Sequence, residues 1–116
     1  MTRILVCGGR DYADREALWE FLDNYSPPAI TAIISGMARG ADTLAAEWAI
    51  TYGVVLRPFP ANWREHGKAA GAIRNQQMID EGMPDVVVAF PGGVGTADMV
   101  RRARKAKIHV VEGPCA

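Results

Sequence analysis

Asp85-Val86-Val87-Val88-Ala89-Phe90-Pro91-Gly92-Gly93-Val94-Gly95-Thr96 joins an unbroken apolar run to a glycine-rich turn and then to a stretch of helical period. A short apolar run without alternation reads as a strand covered on both faces, the environment of a parallel sheet between helices. The glycines allow positive φ and leave backbone N–H groups uncovered. The first turn of the next helix adds donors without an intrahelical acceptor and the positive end of the helix dipole. Pro91, Gly92, Gly93, Gly95 and Thr96 are therefore candidate phosphate-binding residues. A tight strand-to-helix turn without any ligand carries the same local signature, so the rest of the chain has to decide.

Along the whole chain, five apolar runs (Arg3 to Cys7, Ile30 to Ile34, Val54 to Phe59, Asp85 to Phe90, Ile108 to Val111) alternate with helical stretches, which is a βαβ series. Ala17, Leu18, Phe21, Leu22 and Tyr25 fall on one helical face behind a predicted Asp14 N-cap, with Pro27-Pro28 as the stop. Ala41, Leu44, Ala45, Trp48 and Tyr52 form a second stripe, closed by Gly53. A third helix is expected from about Lys68 to Glu81, packing inward through Ala69, Ala72, Ile73, Gln76 and Ile79. A fourth is expected from about Thr96 to Lys107, with Met99, Val100, Ala103 and Ala106 on the core side and Arg101, Arg102, Arg104, Lys105 and Lys107 as a solvated face. The expected fold is α/β: a single Rossmann-like three-layer domain over residues 1–116 with a five-stranded, mostly parallel sheet. Strand order 3-2-1-4-5 puts the turns after the first and fourth strands on either side of the switch point, facing one crevice. A 2-1-3-4-5 order would separate them.

The 116 residues are 49% hydrophobic, enough for one core, and their 13 basic and 13 acidic side chains cancel. A neutral chain argues against a general duplex nucleic-acid footprint. The opening Met1 to Val6 is too short for a signal or membrane segment, and a cytoplasmic protein is expected. Cys7 and Cys115 lie at opposite ends without metal spacing and are read as reduced. His66 and His109 have no ligand pattern, so no metal and no cofactor is expected. The absence of a P-loop lysine and of G-x-G-x-x-G removes kinase and dehydrogenase readings.

Two further glycine-bearing loops also follow strands. In Gly8-Gly9-Arg10-Asp11 the glycines admit a ligand to the backbone and Arg10 offers a bidentate fork for phosphate; pairing of Arg10 with Asp11 is the alternative. In Ser35-Gly36-Met37-Ala38-Arg39-Gly40-Ala41-Asp42, Ser35 and Asp42 either meet a phosphate or ribose hydroxyl or structure the loop. Gly71, Arg74, Asn75 and Met78 share one face of the third helix, and a glycine there suggests close approach of a backbone or ligand. Trp63 and Lys68, in the connection before it, are candidates to cover a base and to approach a phosphate.

With those residues in view, the chain resembles the SLOG superfamily of nucleotide-handling Rossmann-like domains, most closely its YspA, cpYpsA-related branch. The motifs Gly8 to Tyr12, Ser35 to Asp42, Trp63 with Gly67-Lys68, Gly71 with Arg74-Asn75 and Met78, and Phe90 to Thr96 stand in that branch's order. The Ser35 loop is similar to that of DprA-type DNA-processing proteins, and Arg74 to Thr96 resembles the LOG phosphoribohydrolases. Those enzymes carry Pro-Gly-Gly-x-Gly-Thr-x-x-Glu, and here the glutamate position is Met99. An oxocarbenium-like transition state calls for a carboxylate near the ribose, which Met99 does not supply. Asp98, one position earlier, is turned by about 100° and is shorter. The resemblance therefore implies a domain that binds a nucleotide-derived small molecule, with Arg74 and Asp98 as the residues a LOG-like hydrolysis would use, and DprA-like DNA association as a third reading. It also implies a homodimer.

Overall fold

In the computed structural model, residues 2–25 and 30–113 are described, so Pro27-Pro28 and Cys115 lie outside them. The elements run β1 (Thr2–Cys7), α1 (Arg15–Asp23), β2 (Ile30–Ser35), α2 (Ala41–Thr51), β3 (Val55–Pro58), α3 (Trp63–His66), a 3-10 turn (Gly67–Ala69), α4 (Ala70–Asp80), β4 (Val86–Ala89), α5 (Val94–Lys105) and β5 (His109–Glu112). The sheet order is β3-β2-β1-β4-β5, and all four pairings are parallel. The order reverses between β1 and β4, as the Rossmann-like reading requires.

Alternation along the central strands builds a separate core on each face of the sheet. Ile4, Val6, Ile33, Val86 and Val88 meet Leu18, Leu22, Ala45 and Trp48 of α1 and α2. Leu5, Ile34, Val87 and Ala89 meet Met78, Ile79, Met99 and Ala103 of α4 and α5. Each of the larger fully buried side chains contributes roughly 1.5–3 kcal/mol. Two indoles tie α1 to α2 without leaving a buried donor unpaired: Trp19 Nε1 donates to the Leu44 carbonyl (3.0 Å) and Trp48 Nε1 to Asp23 (2.9 Å).

The α1 cap is where the spacing put it, with Asp14 accepting from the Ala17 N–H, and Gly53 has the positive φ of a C′ residue, +68°. The region before β4 differs. Asn62 caps a separate helix at Trp63 by accepting from the Glu65 N–H, and Gly67 turns the chain with φ of +54° before α4 begins at Ala70. α4 packs through a different face from the expected one: Ala70, Asn75 and Met78 face inward together with the expected Ile79, whereas Ala69 is exposed and Ile73 is 44% exposed. On α5, Met99 and Ala103 are core, but Ala106 is exposed beyond the helix end. No helix among the described residues is long and apolar enough to cross a membrane.

Candidate functional site

The loops after β1 and β4 meet. Gly9 donates its N–H to the Pro91 carbonyl at 2.9 Å, and a Cβ on Gly9 would stand 3.0 Å from that oxygen and 3.1 Å from the Gly92 Cα. The Gly9 carbonyl in turn accepts from Tyr12 and from Ala41, the first residue of α2, so the three glycine-bearing loops form one connected rim. The Gly9 amide is consequently spent inside the protein. Donors for an anion come instead from the start of α5, where Gly93 is the N-cap without a side-chain cap and Val94, Gly95 and Thr96 occupy the first turn, which has no intrahelical acceptor for their N–H groups.

These loops enclose a cleft of about 950 Å³ at the carboxyl ends of the strands. Its walls bring together Gly8, Gly9, Arg10, Asp42, Trp63, Lys68, Arg74, Asn75, Pro91, Gly92, Gly93, Gly95, Thr96 and Asp98. Of the residues named as site candidates, Gly36 lines an adjoining cavity and Ser35 lines neither. Ser35 is fully buried; its hydroxyl donates to the Asp42 carbonyl (2.9 Å) and accepts from the Met37 N–H (3.1 Å). The loop-structuring alternative for Ser35 matches these bonds.

Arg10 does not pair with Asp11, which takes Arg39 instead; its guanidinium lies over the Trp63 ring, 5.5 Å from the centroid. Trp63 is half exposed, and its ring edge is the atom a Cβ at Gly71 would meet, at 3.6 Å. A Cβ there would be in ordinary contact with the indole, so the close approach expected at this mid-helix glycine is not made by any described atom of the protein. Arg74 reaches across to β2's loop, donating Nη1 to the Gly36 carbonyl (2.5 Å) and Nε to Asn75 Oδ1 (3.1 Å). Burial pulls Arg74 below the usual guanidinium range, with Asp42 opposing the shift and Arg10 adding to it.

Asp42 is buried in the first turn of α2, with Oδ2 accepting from the Ala38 N–H at 3.3 Å. Burial pushes its carboxyl up to about 6, against the pull of Arg74, the Ala38 N–H and Arg10. Cys7, also on the wall, is pushed up to about 12 by burial, with the Asp42 charge adding to it, so it is an inert thiol.

The α5 arginines correct the picture of a wholly solvated face. Arg102 donates to Asp98 Oδ2 (2.8 Å) and to Gln76 (2.9 Å), Arg101 pairs with Asp98 Oδ1, and Asn75 Nδ2 donates to Asp98 (3.0 Å) and to the Gly95 carbonyl (3.2 Å). Burial opposes ionisation of Asp98, but the bonds from Arg102 and Asn75 and the charges of Arg102 and Arg101 outweigh it and hold the carboxyl below the usual carboxylate range. Asp98 and Asn75 thus act as a clip between α4 and α5. The i,i+3 and i,i+4 spacing of Asp98 to Arg101 and Arg102 was the signal for it. Arg39, which lines the adjoining cavity, also escaped notice as a site residue, although it sits in a glycine-bearing loop much as Arg10 does.

Comparison with known proteins agrees with this architecture. Residues 2–66 match the family described as YAcAr: YspA, cpYpsA-related SLOG family. The chain is 38% identical over 120 residues to the Gene 61 protein of Mycobacterium phage D29, covering 96% of this chain and 95% of that one. Among solved structures it superposes on DNA processing protein A (DprA) from Streptococcus pneumoniae with a TM-score of 0.80 at 16% identity, over 100% of this chain and 51% of that one. It therefore spans about half the length of DprA. UDP-GlcNAc 2-epimerase from Neisseria meningitidis, bound to UDP-GlcNAc, gives a TM-score of 0.56 at 13% identity over 97% of this chain and 31% of that one. The two structural likenesses concern the fold; the match over residues 2–66, with the relative aligned along nearly the whole chain, places this protein in the YspA, cpYpsA-related SLOG family.

Proposed function

We propose that this protein binds a nucleoside phosphate in the 950 Å³ cleft and holds it without cleaving the N-glycosidic bond. The observation that carries the reading is the junction of the β1 and β4 turns beside the uncapped first turn of α5, with Arg10 and Arg74 on the same wall. In this reading the amides of Val94 to Thr96 and the Thr96 hydroxyl take the phosphate, while Arg10, Arg74 and Lys68 balance its charge. Asp42 accepts from ribose hydroxyls, and Trp63 lies against the base.

Two features favour binding over hydrolysis. Asp98 is engaged by three side chains and held ionised, and Met99 is a core methionine on the cleft floor, 1% exposed. Neither is placed to activate water as the glutamate of a LOG-like enzyme would.

The test is a panel of nucleoside monophosphates, cyclic nucleotides and ADP-ribose-type compounds, read by thermal shift and free-base release together. At a ligand concentration 100-fold above Kd, binding to the native state adds about 2.7 kcal/mol, which raises Tm by about 10 °C. The expected outcome is such a shift without free base. Free base that disappears in Arg74→Ala or Asp98→Ala would replace this reading with phosphoribohydrolase activity. Salt-sensitive affinity for single-stranded DNA without any nucleotide effect would replace it with DNA association.

A further inference from the structure

A second cavity, of about 440 Å³, shares Arg10, Ala38, Trp63 and Arg74 with the main cleft, so the Arg10–Trp63 stack belongs to the wall common to both. Its wall holds three guanidinium groups, Arg10, Arg39 and Arg74, and no carboxylate. The main cleft differs in this respect, because Asp11, Asp42 and Asp98 stand among its cations.

The protein's own carboxylates offset the charge of the smaller cavity only in part. Arg10 makes no ion pair among the described residues. Arg39 has only Asp11, at 3.2 Å, with the two side chains 76% and 96% exposed, a pair that a phosphate displaces at little cost. Arg74 donates Nη1 and Nε to neutral acceptors, Gly36 and Asn75, and the carboxylate whose charge reaches it, the buried Asp42, also reaches Arg10, so these two guanidinium groups share a single counter-charge. Three like charges around one cavity repel each other, and an anion placed among them relieves that repulsion. A mononucleotide with its phosphate on the α5 turn draws on Arg10 and Arg74 from the main cleft and leaves Arg39, which lines only the smaller cavity, to the exposed Asp11 alone.

We propose that the smaller cavity is a second anion subsite and that the ligand is a nucleotide with two phosphate groups at separate positions, of which a nucleoside 3′,5′-bisphosphate is the smallest. One phosphate lies on the first turn of α5 and the other among Arg10, Arg39 and Arg74, with the nucleoside passing beneath the Arg10–Trp63 stack. Arg39 is the residue specific to the second group, since it lines the smaller cavity alone. The proposal rests on the nucleotide-binding reading above and adds to it the number and separation of the phosphates.

Calorimetric titration at fixed ionic strength tests it, with AMP, adenosine 3′,5′-bisphosphate, GMP and guanosine 3′,5′-bisphosphate as probes. The bisphosphate is expected to bind about tenfold more tightly than the monophosphate of the same base. Arg39→Gln is expected to abolish that gain while leaving the monophosphate Kd within about twofold. Because Arg39 is exposed, the variant keeps the wild-type thermal melt. Equal affinity for the two phosphate classes, or a gain that survives Arg39→Gln, overturns the second subsite and leaves the mononucleotide reading standing. Failure of all four compounds to bind overturns both.

Discussion

Gly40→Ala is expected to remove about 3 kcal/mol of stability and to lower Tm by about 10–20 °C. Gly40 is the N-cap of α2 at φ 85°, ψ −134°, a backbone region that side chains with a Cβ rarely occupy. A Cβ there would also overlap the Gly9 carbonyl oxygen and stand 2.7 Å from the Arg10 oxygen. Both neighbours are backbone, so relief requires the β1 loop to move away from α2. The smaller unfolded-state entropy of alanine returns only about 0.4–1 kcal/mol. Gly53→Ala is the control: its φ is also positive, +68°, but no described atom lies within 4 Å of the added carbon. It is expected to cost about 1 kcal/mol, the dihedral penalty alone. Equal losses in the two variants would mean that the loops tolerate separation.

Asp42→Asn is expected to stabilise the protein by about 1–3 kcal/mol at pH 7.5 and to change it little at pH 3.5. The sign follows from the direction of the shift. The folded-state value of about 6 lies above the ordinary carboxylate value, so between the two the native protein holds a proton that the unfolded chain has released. Stability therefore falls as pH rises through that window, and the full penalty is present above it. Asparagine removes the penalty and retains an oxygen for the Ala38 N–H. Denaturant melts across this range check it, and a wild-type-to-variant gap independent of pH would contradict it. Retaining a costly carboxylate on the wall of a cleft fits a residue kept for its ligand.

The strand order was legible because the apolar runs are short, unbroken and separated by helical periods, and because Asp14 and Gly53 carry local signals that tertiary packing had no reason to override. The setting of α4 was not. The 3-10 turn takes only the first residues of the helix expected from about Lys68; what the sequence left undecided is which of two neighbouring faces packs inward, and contact with the sheet and α5 selects Ala70, Asn75 and Met78 over Ala69, Ala72 and Ile73. The cleft itself was visible in its glycines and arginines, but not the direction in which its polar groups face. Ser35 and Asn75 have the composition of ligand contacts and also hold neighbouring segments together, Ser35 within the β2 loop and Asn75 between α4 and α5, since a buried hydroxyl or amide bonds to whatever acceptor lies in reach. Nor does composition reveal that the Gly9 amide is taken by Pro91, a bond that exists only because β1 and β4 are neighbours.

The claim on which all of this depends is that the β1 and β4 turns form an anion site out of main-chain amides at the start of α5. Amide NMR of the uniformly 15N-labelled protein during titration with AMP tests it most directly. Saturable one-to-one shifts centred on the amides of Val94, Gly95, Thr96 and Arg10, with β5 and the α1 backbone unmoved, are the predicted result. Shifts confined to the Arg101 and Arg104 face of α5, or none at saturating nucleotide, would contradict it.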